Sequence, residues 1–112
     1  MGRVGISVKA LPVVLPVNFA VVDGTVIFRT VEGTKLKAAT AGTVVAFEAD
    51  GYKDDGRSGW SVLIQGVAGV IRDPAELASL ATLPIEAWAL DAAADRYVQI
   101  RPTTISGRRF QR

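Results

Sequence analysis

The residues best suited to holding an anion fall in one short stretch, Phe28-Arg29-Thr30-Val31-Glu32-Gly33-Thr34-Lys35-Leu36-Lys37-Ala38-Ala39. It reads as the end of an apolar strand, a polar turn with one glycine, and the first turn of a helix. Backbone N–H groups at a helix start lack partners within the helix, and the helix dipole favours negative charge there. The hydroxyls of Thr30 and Thr34 and the ammonium of Lys35 would add charge-assisted hydrogen bonds, so the stretch is a candidate phosphate cradle. Such a motif is more often just a solvated, capped strand-to-helix connection. Lys35 and Lys37 stand two positions apart and point to nearly opposite sides of a helix, so only one can serve the cradle. Lys35, in the first turn, is the candidate, and Lys37 reads as solvated.

Composition narrows the chemistry further. The sequence has 112 residues and neither cysteine nor histidine, which removes thiolate and imidazole metal sites, disulfides, and Ser-His-Asp or Cys-His catalysis. No metal site and no catalytic side chain stands out, and any reaction must use hydroxyls, carboxylates, lysine, arginine or a bound cofactor. The length suits one domain spanning residues 1–112, with about 65% of the unfolded surface buried on folding and room for one modest core. Because 49% of the residues are hydrophobic, part of the apolar surface is expected at an oligomer interface. No apolar core of a signal peptide and no run of membrane-spanning length is present, so a cytoplasmic protein without a membrane partner is expected. Net charge is only +2. Arg101, Arg108, Arg109 and Arg112 gather near the C-terminus with a single aromatic, Phe110, among them, which reads as a solvated end rather than a nucleic-acid contact.

The elements that must position the cradle are mostly strands. Val4, Ile6 and Val8 alternate with Gly5 and Ser7, a short strand. Val13 to Val22 is an almost continuous apolar run interrupted by Pro16 and Asn18, and a proline there marks an edge or a bulge. Asp23-Gly24 signals a two-residue hairpin that returns through Thr25 to Thr30. A short helix from Thr34 to about Ala41 ends at Gly42. Residues 43–50 alternate, with Val45, Phe47 and Ala49 on one face. Gly51 to Gly59 reads as a charged loop in which Asp54 and Asp55 are turn formers, and a long strand runs from Trp60 to about Ile71. Gly66 and Gly69 in that strand are candidate bulges or close-approach points that let the sheet curl towards a barrel. Asp73-Pro74-Ala75-Glu76 is a helix start with a capping aspartate, and Leu77, Leu80 and Ala81 form its apolar stripe. Residues 85–96 fit either a second short helix or a loop. A last strand, Tyr97 to Ile105, precedes Ser106-Gly107-Arg108-Arg109, where order is expected to end.

This succession of elements resembles the pyridoxamine 5'-phosphate oxidase-like FMN-binding split barrels, from about Val4 to Arg109. The parts that carry the resemblance are Leu15-Pro16-Val17-Asn18, Phe28-Arg29-Thr30 with Gly33-Thr34-Lys35, and Gly59-Trp60-Ser61-Val62. The resemblance implies a mostly β protein: a six-stranded antiparallel split β-barrel of Greek-key type with two or three short helices, working as a homodimer with FMN at the subunit interface. It implies that Thr34 and Lys35 hold the FMN phosphate with Thr30 and Arg29 beside them. Pro16, Val17 and Asn18 would lie along the isoalloxazine, and Trp60 and Ser61 would complete the wall. A phosphate needs charge-assisted donors and a flat ring an apolar slot with a few fixed polar groups, which fits these residue types. Trp60 also fits plain core or interface packing. The family's oxidase places an arginine on a strand where this chain has Val13 and Val14, and it uses a C-terminal histidine for its pyridoxal substrate. This chain has no histidine, so a flavin oxidoreductase acting on a different small molecule is expected. Two alternatives stand beside it: a reductase using a deazaflavin in the same groove, and a non-catalytic flavin-binding or sensor module.

Overall fold

In the computed structural model the described residues are 2–8, 11–30, 42–53, 56–82 and 96–111. They form seven strands and one helix: β1 (Gly2–Val8), β2 (Leu11–Val17), β3 (Phe19–Val22), β4 (Thr25–Thr30), β5 (Val44–Lys53), β6 (Ser58–Val70), α1 (Pro74–Leu80) and β7 (Arg96–Gln111). All strands join one antiparallel sheet in the order β2-β1-β5-β6-β7-β4-β3. The two edge strands, β2 and β3, are consecutive in the chain with only Asn18 between them. The sheet therefore curls until its edges meet at one residue.

That join explains why seven strands stand where six were expected. The apolar run across 13–22 is divided at Asn18, because its two halves pair with different partners: Pro16 with Arg3 on β1, and Phe19 with Phe28 on β4. Pro12 and Pro16 both lie on β2, an edge strand, where a missing N–H costs no central ladder bond. Two further expectations change. Gly51, Tyr52 and Lys53 pair with Trp60, Gly59 and Ser58, so most of the supposed loop extends the β5–β6 hairpin. β7 does not end at Ile105 but runs to Gln111, with Arg108 and Arg109 opposite Ser61 and Trp60. Backbone pairing, indifferent to the solvated arginine side chains, carries the strand onward.

The curled sheet encloses a core of Val4, Ile6, Val17, Val26, Phe28, Val45, Phe47, Ala49, Ala68, Val98 and Ile100. Val45, Phe47 and Ala49 take the inward face as their alternation predicts. Phe19 meets Phe47 edge-on, ring centroids 4.8 Å apart at 83°, a favoured aromatic geometry. A second cluster on the outside joins Ile27 and Tyr97 to Ile71 and Leu80 under α1. That helix is capped as expected: the Asp73 carboxylate accepts from the Ala75 N–H at 3.2 Å, and Pro74 opens the first turn. Leu80 is buried, whereas Ala81 is exposed and forms the C-cap rather than part of the stripe. Asp23 and Gly24 both have positive φ, 51° and 75°, the type I′ pair that the hairpin requires. Gly66 marks a register shift at which Thr103 is the extra residue on β7, and an added Cβ would strike the Arg101 carbonyl. Gly69, by contrast, has nothing within 4 Å of such a Cβ. The expected helix over 34–41, the stretch 85–95 and the Asp54-Asp55 pair lie outside the described residues.

Candidate functional site

Side chains on a strand alternate between faces, and residues directly paired across a ladder share one. This assigns most of the described candidates to a face. Val17, paired with Gly2, points into the core and is buried, while Pro16, paired with Arg3, points outward and is half-buried. Asn18 occupies the join between β2 and β3, half-buried. Arg29 faces outward with its guanidinium 5.8 Å from the centroid of the Tyr97 ring, within range of a cation–π contact. Thr30 ends β4, paired with Arg96. Thr34 and Lys35 lie outside the described residues. Because the Phe19–Phe28 pair comes immediately after Asn18 and before Arg29, the join and the end of β4 are neighbours, and the end of β2 also touches β4.

Trp60 and Ser61 are divided by the same alternation. Trp60 pairs with Gly51 and Arg109 on the inner face, and its indole lies over the Gly51 Cα, where an added Cβ would come within 2.7 Å of Nε1. Across the mouth of the barrel Trp60 shares an apolar slot of about 220 Å³ with Phe19, Val21, Phe47, Val62 and Ile64. Ser61 faces outward between Asp50 and Arg108. The two cannot wall one slot within a single protomer.

The outer face carries the charges that reading by motif missed. Arg3 Nη1 donates to Glu48 Oε1 at 3.2 Å and lies 3.6 Å from Asp50 Oδ2. Partial burial raises the Glu48 pKa above the usual carboxylate value; the neighbouring Asp50 adds to this and Arg3 opposes it. Pro16, Arg3, Glu48, Asp50, Ser61 and Arg108 thus form one continuous polar patch beside the β2 edge. Alternation of Glu48 and Asp50 along β5 was the available signal. Placing Arg108 and Arg109 in the patch and the mouth needed the length of β7, which composition concealed. Among the described residues no group of three or more His, Cys, Asp or Glu side chains could hold a metal ion, and no helix is long and apolar enough to cross a membrane.

A curled antiparallel sheet whose edges meet at one residue, with one capped helix on its outside, defines a split β-barrel. The chain belongs to the pyridoxamine 5'-phosphate oxidase family, whose model matches residues 1–109. Among solved structures it is similar to the FAD binding protein from Mycobacterium smegmatis, with a TM-score of 0.81 and 40% identity, covering 99% of this chain and 85% of that one. A pyridoxamine 5'-phosphate oxidase-like protein from Corynebacterium glutamicum superposes with a TM-score of 0.84 at 36% identity, over 98% of this chain and 80% of the other. Rv0080 of Mycobacterium tuberculosis is 41% identical over 114 residues, 97% of this chain and 74% of that protein.

Proposed function

We propose that this protein binds a flavin, as FMN, and works as a flavin-dependent oxidoreductase on a small molecule, with its site at the interface of a homodimer. The observation that carries the reading is the likeness, at 40% identity over nearly the whole chain, to a mycobacterial protein that binds FAD, which contains the same ring system and first phosphate as FMN. The protein also offers suitable donors. Among the described residues β2, an edge strand, pairs its backbone on one side only, with β1. The other side of Leu15–Val17 can therefore bond the polar rim of a flat ring. Thr30, Thr34 and Lys35 would hold the phosphate, with Arg29 beside them. Pro16, Val17 and Asn18 would lie along the ring. Trp60 and Ser61, on opposite faces of β6, fit a site to which two protomers contribute different faces better than one enclosed in a single chain.

Bound flavin would supply the hydride or electron transfer, and the chain's own residues would bind, orient and exclude water. The test is direct. The purified protein is expected to show flavin absorbance and to release FMN on denaturation. Lys35→Ala is expected to weaken FMN binding about ten- to hundredfold, the loss of one charge-assisted phosphate bond. A colourless protein that takes up neither FMN nor FAD overturns the reading, and one that binds only a deazaflavin moves it to the deazaflavin reductases.

A further inference from the structure

The inner face of the β5–β6–β7 extension is built in rows. Lys53, Ser58 and Gln111 make one, Gly51, Trp60 and Arg109 the next, then Ala49, Val62 and Gly107, then Phe47, Ile64 and Ile105. Read along the strands, the rows pass from cationic to indole to wholly apolar. Two hollows follow the same sequence. The slot of about 220 Å³ at the barrel mouth is lined by apolar side chains with Trp60 at its rim. A wider cleft of about 350 Å³ on the other side of Trp60 is lined by Lys53, Ser58, Arg109 and Phe110. Trp60 is the shared wall and is 42% exposed. Among the described residues neither Lys53 nor Arg109 forms an ion pair, and no acid lines either hollow. Gly107, in the row of Ala49 and Val62 between those of Trp60 and Ile64, places no side chain on the β7 side of that step.

A surface that is apolar at depth and cationic at its rim is complementary to a small amphiphile with an anionic head. We infer that the barrel mouth of each protomer binds a short-chain organic carboxylate, its alkyl or aryl body in the slot beside Val62 and Ile64 and its carboxylate at Lys53 and Arg109. The slot has the room that about seven waters take in the liquid, at roughly 30 Å³ each. That admits a single ring or a chain of similar bulk. This site lies on the inner face, whereas the patch beside the β2 edge faces outward, so of the residues given to the flavin it uses only Trp60.

The test uses 8-anilinonaphthalene-1-sulfonate fluorescence on the full chain, displaced by octanoate or by uncharged 1-octanol. Saturable binding of one dye per protomer is expected, with octanoate displacing it more strongly than 1-octanol. Arg109→Ala and Lys53→Ala, both at exposed positions, are each expected to weaken octanoate about fivefold, the size of one exposed charge contact, and to leave 1-octanol unchanged. Val62→Phe, checked for an unaltered circular dichroism melt, is expected to weaken both. Equal displacement by the two competitors or an Arg109→Ala protein indistinguishable from wild type overturns the inference. Failure of the protein to bind any flavin would leave the octanoate result as it stands, so the two readings fail separately.

Discussion

Gly66→Ala should damage this protein far more than a single methyl suggests. At Gly66 the β6–β7 ladder slips: Gln65 faces Thr104, Gly66 faces Pro102, and Thr103 is extra. The Thr103 hydroxyl donates to the Gln65 carbonyl at 2.9 Å and the Thr104 hydroxyl to Gln65 Oε1 at 3.1 Å, fixing the slip from both sides. A Cβ on residue 66 would strike the Arg101 carbonyl oxygen and lie 2.8 Å from its carbon and 3.0 Å from the Pro102 Cα, where ordinary contact begins at 3.4 Å. All three atoms are backbone, so no rotamer relieves them and the strands must part. Overpacking of this kind costs about 1–3 kcal/mol, and each ladder hydrogen bond weakened adds about 0.5–1.5 kcal/mol. A total near 3 kcal/mol should lower Tm by roughly 10 °C in a chain of this size. Gly69→Ala is the internal control: its Cβ meets nothing within 4 Å and its φ is not positive, so loss of unfolded-state entropy should raise stability by about 0.4–1 kcal/mol. Calorimetry on the two variants checks the argument. A Gly66→Ala protein melting within 2 °C or so of wild type would refute it.

Phe28→Ala, which empties a fully buried position at the centre of the core, is expected to cost about 3–5 kcal/mol in urea unfolding. Asp73→Ala removes the side-chain cap on α1 and should cost about 1 kcal/mol; Asp73→Asn should recover most of it. Because the folded-state pKa of Glu48 is raised, chiefly by burial, the folded protein holds that proton more tightly than the unfolded chain. The contribution is then fully present below the usual carboxylate pKa and is lost as pH rises through the folded-state value. Glu48→Gln should therefore gain stability relative to wild type between pH 4 and pH 7, and a gap that widens against the variant over that range would contradict the assignment.

Legibility depended on whether a signal was local. Asp23-Gly24 and Asp73-Pro74 each specify their geometry within a few residues, and the structure agrees with both. The Val45-Phe47-Ala49 alternation likewise revealed its buried face. Asn18 did not announce itself as a boundary, because both halves of the run around it are apolar and only their partners differ. The last strand was underestimated for the complementary reason: Arg108 and Arg109 have the composition of a solvated end, yet their pairing is made by backbone. The separation of Trp60 from Ser61 was available from strand alternation alone, but a motif read as a unit hides the faces its members take.

The meeting of the two sheet edges at Asn18 has a consequence for how the chain finds its fold. β5, β6 and β7 pair with sequence neighbours, whereas Thr30 must find Arg96 across more than half the chain. Such a closure is entropically expensive and slow when attempted freely. Here β2 is anchored to β1, and β1 to β5, so the β3–β4 hairpin hangs from an already assembled sheet by a one-residue tether. Its search for β7 becomes a short intramolecular docking step at high effective concentration. We expect β3 and β4 to be last to form and first to open in hydrogen exchange, with the length of the tether at residue 18 governing the rate.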